Sequence, residues 1–182
     1  MESKQIFLLS GPRGTGKTTL LQRFVDNEKK SGKRVAGILQ ITKDDKRCLQ
    51  FLSTDTIKVL QLNDIGAHPP RHHHPQSHTD RHADEVQYQE EHQIVGPFVF
   101  STATLNESQQ ELRNAVHYDW IVVDEIGPLE INKKRGYEPA VSEILKMRKS
   151  AQFRNTKFVI VVRPSLKQQI ASNYALKQSE IG

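Results

Sequence analysis

The residues Gly11-Pro12-Arg13-Gly14-Thr15-Gly16-Lys17-Thr18 satisfy the pattern G-x-x-x-x-G-K-[ST] at every position, and this one stretch limits the chain more than any other. The flanks match its demands. Gln5 to Ser10 reads as a strand, and Lys17 to about Lys30 reads as a helix with Leu20, Leu21, Phe24 and Val25 on one face and Gly32 as its stop. Between a strand and a helix, such glycines let backbone N–H groups turn inward around phosphate oxygens, and the helix points its positive end at them. Lys17 then reaches the β and γ phosphates, and Thr18 offers a hydroxyl to Mg²⁺. The expected nucleotide-binding set is Gly11, Pro12, Arg13, Gly14, Thr15, Gly16, Lys17, Thr18 and Thr19, with Lys17 also catalytic. For Arg13, inside the loop, a γ-phosphate contact and an outward-facing surface role are both open.

The rest of the chain alternates short apolar runs with longer amphipathic stretches, the pattern of strands joined by helical crossovers. Arg34 to Ile41, Cys48 to Ser53 and Ile57 to Leu62 read as a meander added to a parallel sheet, with the polar turns Lys43 to Lys46 and Thr54-Asp55 between them. Val95 to Thr102 reads as a strand, followed by a helix opened by the capping-box pattern Thr104-x-x-Glu107 and running through Leu112 and Val116. Pro139 suits the first turn of a helix burying Ala140, Val141, Ile144 and Leu145. Lys157 to Val162 forms the last strand, and Ser165-x-x-Gln168 caps a final helix with Leu166, Ile170 and Tyr174 on one face. The expected fold class is α/β, a three-layer sandwich with a mostly parallel central sheet and an antiparallel meander, as one domain over residues 1–182.

A second chemical signal is Trp120-Ile121-Val122-Val123-Asp124-Glu125, an apolar run that delivers two carboxylates to the C-terminal end of a buried strand. Open α/β sheets bind their ligands at that edge. Asp124 is placed to hold Mg²⁺, directly or through its water shell. Glu125, pointing the other way along the strand, can orient and polarise an attacking water and is the second candidate catalytic residue. Arg163, at the end of the last strand, could stabilise γ-phosphate charge, with a plain surface role as the alternative.

Asp124-Glu125-Ile126-Gly127-Pro128-Leu129-Glu130 resembles the Asp-Glu-Ile-Gly-x-x-Glu hallmark of the THEP1-type nucleoside-triphosphatases, and Gly11 to Leu20 is similar to their phosphate loop. The resemblance extends to Val95-Gly96-x-Phe98-x-Phe100 and to Val161-Val162-Arg163, and so covers most of the chain. It implies a small cytosolic P-loop enzyme that hydrolyses nucleoside triphosphates with broad base selectivity, and it carries over Lys17, Thr18, Asp124 and Glu125 as functional residues. Glu130 belongs to the same motif, with a structural role closing the loop as one reading. Two other functions remain open: a nucleotide or small-molecule kinase, and a regulatory nucleoside-triphosphatase that handles a metal ion.

The metal reading comes from residues 66–92, which hold seven of the eight histidines and three prolines. Such a segment cannot build a core and reads as a flexible insertion. His72, His73 and His74 stand in a row, and His78 and His82 are four apart, so Ni²⁺ or Zn²⁺ is a candidate ligand, with loose tag-like binding as the alternative. The segment carries two arginines against five acids, a local −3, so within the formal net charge of +5 the rest of the chain carries +8 and would draw in nucleoside triphosphates. The basic residues lack interleaved aromatics, which argues against a dedicated nucleic-acid site. No apolar run is long enough for a signal core or a membrane span, and the lone Cys48 reads as an inert buried thiol, both consistent with a cytoplasmic protein. Thr42-Lys43-Asp44-Asp45 spells a guanine-reading pattern after the wrong strand, and Asn132-Lys133-Lys134-Arg135 lacks its aspartate, so no strict guanine site is expected.

Overall fold

The central sheet of the computed structural model, which describes residues 5–63, 92–95 and 98–176, is six-stranded in the order β1-β8-β7-β2-β3-β4. β1 (Ile6–Ser10), β8 (Lys157–Val162), β7 (Trp120–Ile126) and β2 (Val35–Lys43) run parallel, while β3 (Lys46–Phe51) and β4 (Ile57–Val59) continue antiparallel as the expected meander. The parallel strands are apolar at nearly every position because both faces of the sheet are covered. Ile6, Ala36, Ile38, Ile121, Val123, Phe158 and Ile160 face one core, and Val35, Leu39, Val122, Val159 and Val161 face the other.

The second core is closed by α1 (Lys17–Lys30) through Leu21 and Val25. Leu20, expected on that face, is instead 57% exposed, and Phe24 is half-buried in an edge-on contact with Trp120. The opposite face is covered by α2 (Thr102–Arg113), α3 (Pro128–Lys133), α4 (Glu138–Lys146) and α5 (Lys167–Asn173), giving three layers. Each fully buried aliphatic or aromatic side chain contributes about 1.5–3 kcal/mol, so these two cores dominate the stability. Ala140, Val141, Ile144 and Leu145 of α4 are buried, as the sequence predicts.

Three local expectations are corrected. The segment expected as one strand from Val95 to Thr102 is divided: Val95 ends β5 (His92–Val95), Phe98–Ser101 form β6, which pairs antiparallel with β5 and is tied to the chain after β4 through Ser101 N–H to the Leu60 carbonyl, and Thr102 already begins α2. Helix α2 starts earlier than the Thr104-x-x-Glu107 pattern suggests: Ser101 is the cap and its Oγ accepts from Thr104 N–H at 3.2 Å. Burial decides this, because Leu105, Ser108 and Leu112 lie on the buried face and the helix must already be turning at Thr104, while Glu107 pairs with Lys58 instead. Ser165 likewise caps nothing; a 3₁₀ turn, Pro164–Leu166, leads into α5 with buried Leu166 at the cap position. Cys48 is buried in β3, and no helix among the described residues is long and apolar enough to cross a membrane.

The sheet order matters for the site. Because β8 lies between β1 and β7, the loop after β1 and the acids at the end of β7 flank the end of β8, where Arg163 stands.

Candidate functional site

The loop between β1 and α1 is shaped by Gly14 (φ 79°) and Gly16 (φ 77°), left-handed conformations that side chains disfavour. Gly16 is the N-cap of α1 and offers no side-chain oxygen, so the first N–H groups of the helix lack a side-chain cap and present their partial positive charge to the loop. Thr15 Oγ1 donates to the Pro12 carbonyl at 2.9 Å and braces the turn. Lys17 folds back over the loop, its Nζ donating to the carbonyls of Gly11 (2.9 Å) and Pro12 (2.5 Å). A cation above uncapped amide groups is an anion cradle, and its oxygen acceptors are ones that phosphate oxygens can replace.

Asp124 lies 2% exposed at the end of β7. Its Oδ2 accepts from Thr18 Oγ1 at 2.9 Å and from the Gln40 backbone N–H at 3.2 Å, joining the phosphate loop to β7 across 106 residues of sequence. Burial pushes its carboxyl up to about 6, against the pull of those two hydrogen bonds. A buried carboxylate beside a hydroxyl is a hard-oxygen pair suited to Mg²⁺. Among the described residues no group of three or more His, Cys, Asp or Glu could hold a metal alone, so a bound Mg²⁺ would need substrate phosphates and water to complete its shell.

Next to Asp124 the β7–β8 register slips between Val123 and Ile126, and Glu125 adopts a left-handed backbone (φ 60°). Bulges of this kind re-aim side chains. Glu125 turns to the sheet edge and meets Arg163, whose Nε and Nη2 each lie 2.9 Å from Glu125 Oε1. Beneath the pair, Tyr137 is 3% exposed; its hydroxyl accepts from Gln40 Nε2 at 2.6 Å and donates to the Glu125 carbonyl at 3.4 Å. Burial, then the nearby charge of Glu130, raise the Tyr137 phenol well above its usual range, so it stays protonated and can donate.

Glu130 closes the loop after β7. Its Oε2 accepts from Gly127 N–H at 3.0 Å, and further backbone N–H bonds from Glu130 itself and Tyr137 converge on the carboxyl. Gly136 (φ 67°) is required here, since a Cβ at that position would collide with the Glu130 carboxylate. Burial raises the Glu130 carboxyl to about 7 despite these donors. The folded state therefore holds a proton that the unfolded chain releases near 4.5, and the stability from this group is complete below that pH and lost as pH rises through 7. The thermal stability of the wild-type protein should therefore decline between about pH 4.5 and 7 and level off above. Glu130→Gln should flatten this decline and lower stability at pH 5 by about 1–3 kcal/mol, because an amide NH₂ faces backbone donors. An equally steep decline in Glu130→Gln would assign the titration to another group.

The structure thus brings together Gly11, Lys17, Thr18, Asp124 and Arg163, which line a cleft of about 650 Å³ with Pro164 at its far wall. Thr19 and Arg13 line it as well. His72, His73, His74, His78 and His82 lie outside the described residues. His117 stands in a turn after α2 with φ 63°. Gln40 and Tyr137 are the site residues that sequence reasoning missed: they stand 97 positions apart and neither belongs to a motif. The Glu125–Arg163 contact was equally hidden, although each residue was singled out separately.

No protein-family model matches the chain. A nucleoside-triphosphatase THEP1 from Pyrococcus abyssi (strain GE5 / Orsay) is 29% identical over 146 residues, covering 79% of this chain and 69% of that protein. Among solved structures, the crystal structure of THEP1 from the hyperthermophile Aquifex aeolicus aligns with a TM-score of 0.48 and 17% identity, covering 96% of this chain and 84% of that one. The curated relative bears the family name that the phosphate-loop and Asp-Glu-Ile-Gly motifs suggested.

Proposed function

We propose that this chain is a THEP1-type nucleoside-triphosphatase, which cleaves the terminal phosphoanhydride of a nucleoside triphosphate with water as acceptor. The hydrogen bond from Thr18 to Asp124 carries this reading, because it sets a buried carboxylate and a hydroxyl together beside an uncapped helix N-terminus. Thr18 and Asp124 would hold Mg²⁺, which when bound neutralises charge on the β and γ oxygens. Lys17 exchanges its carbonyl acceptors on Gly11 and Pro12 for phosphate oxygens. Glu125 accepts the proton of the attacking water, for which its carboxylate must leave Arg163. Arg163, released, stands at the rim of the same cleft and can meet the charge that builds on the departing phosphoryl group.

Broad base selectivity fits the cleft lining. Neither Thr42 to Asp45, whose acids form the turn between β2 and β3, nor Asn132 to Arg135 borders the nucleotide cleft. Base discrimination needs donors and acceptors fixed on the base edge. Phosphate release from ATP, GTP, CTP and UTP should therefore proceed with kcat/KM values within about tenfold of one another, a spread of about 1.4 kcal/mol, and should stop when Mg²⁺ is chelated. A thousandfold preference for one base would overturn the selectivity, and undiminished release without divalent metal would overturn the metal role of Thr18 and Asp124.

A further inference from the structure

A second cavity of about 690 Å³ adjoins the nucleotide cleft on the far side of the Glu125–Arg163 pair, and its size falls within the range of small-molecule sites. The two share Arg13, Gly14, Thr18, Glu125 and Arg163 as a common wall, but the second extends away from the phosphate loop, over the ends of β2 and β3 toward the β5–β6 hairpin. Its chemistry is different. Leu60, Phe100 and Leu105 give it a buried apolar floor, each less than a tenth exposed. Phe98 is half-buried beside Phe100 with ring centroids 6.2 Å apart, and the Arg47 guanidinium lies 5.5 Å from the Phe98 ring centroid.

The charge in this cavity is asymmetric. Its carboxylates are engaged: Glu125 is bound by Arg163, and Glu130 is held by converging backbone N–H groups. Arg47 and Arg13 line the same cavity, and among the described residues neither has a carboxylate partner. The uncommitted charge is therefore positive, next to a surface of aromatic rings and a guanidinium plane on which a flat ring stacks well. Gln40, Thr42 and Tyr137 add hydrogen-bonding groups along the wall. The phosphates of a nucleotide do not require these features, since the loop and helix on the other side of Arg163 serve them.

We propose that this cavity binds a second small ligand, an aromatic ring bearing a phosphate, with the ring on Phe98 and Arg47 and the anion met by the arginines. A nucleoside monophosphate and a simple aryl phosphate share this chemistry. The proposal does not rest on the hydrolytic reading, because it concerns binding alone.

Guanosine monophosphate and phenyl phosphate, titrated calorimetrically into the protein after its phosphate loop has been filled with Mg²⁺ and a non-hydrolysable ATP analogue, test it directly. The affinity for the analogue is measured first; if the analogue fails to bind, the nucleotide reading fails, and the probes are titrated into the free protein instead. At least one probe should bind saturably at one per chain. Arg47→Ala and Phe98→Leu should each weaken that binding about tenfold, the scale of a stacked cation or ring contact, and leave the affinity for the analogue unchanged as evidence of an intact fold. Binding of both probes assigns the site to aryl phosphates in general, and binding of guanosine monophosphate alone assigns it to nucleotides. Absence of saturable binding by either probe, undiminished binding in both variants, or equal competition by inorganic phosphate would overturn the proposal.

Discussion

Lys17→Ala should abolish turnover and weaken nucleotide binding. In the structure the Lys17 ammonium lies over the loop on the Gly11 and Pro12 carbonyls, the one side-chain cation hydrogen-bonded within the turn. Alanine removes that point charge while leaving Gly14 and Gly16 to shape the loop and α1 to present its N–H groups. Residual binding through the backbone cradle is thus expected, but the charge aimed at the β and γ oxygens is lost where it builds during phosphoryl transfer. Phosphate release above a few per cent of the wild-type rate would count against the loop as the reaction site. Stability should change little, because Lys17 packs into neither core.

The second large effect is expected at Glu125. Glu125→Gln should lower kcat by about 10²–10⁴ with nucleotide affinity nearly intact, the usual scale for losing a general base. The substitution is a fair test because glutamine keeps an oxygen that can accept from Arg163, so the pair at the sheet edge can persist while the proton acceptor is gone. An affinity that collapses along with kcat would show instead that Glu125 serves to bind metal or to hold Arg163. A single-turnover measurement separates the two outcomes, since it reads chemistry apart from binding.

Much of the fold was legible because the apolar runs are long and uninterrupted. Ile6 to Leu9, Trp120 to Val123 and Phe158 to Val162 read as strands and are. The errors fall where a local pattern competed with burial. Thr104-x-x-Glu107 has the letters of a capping box, but the buried stripe through Leu105 and Leu112 placed the helix start at Thr102 with Ser101 as its cap. Val95 to Thr102 looked like one strand because Val95 and Phe98 to Phe100 are all strand-favouring apolar residues, and the antiparallel pairing of His92–Val95 with Phe98–Ser101 shows that they belong to two strands.

By itself the sequence determined the glycine-shaped loop between β1 and α1 and the Asp-Glu pair at a strand end, because both depend on residues adjacent in the chain. Tertiary structure decided how these pieces act on each other. Insertion of β8 between β1 and β7 set Arg163 beside Glu125, the slip in register after Val123 turned Glu125 toward it, and pairing of β2 with β7 placed the Gln40 N–H on Asp124 and its side chain on Tyr137. These contacts join residues from 38 to 97 positions apart, and no local pattern records them, because they follow from strand order and from a buried acid's need for hydrogen-bond partners.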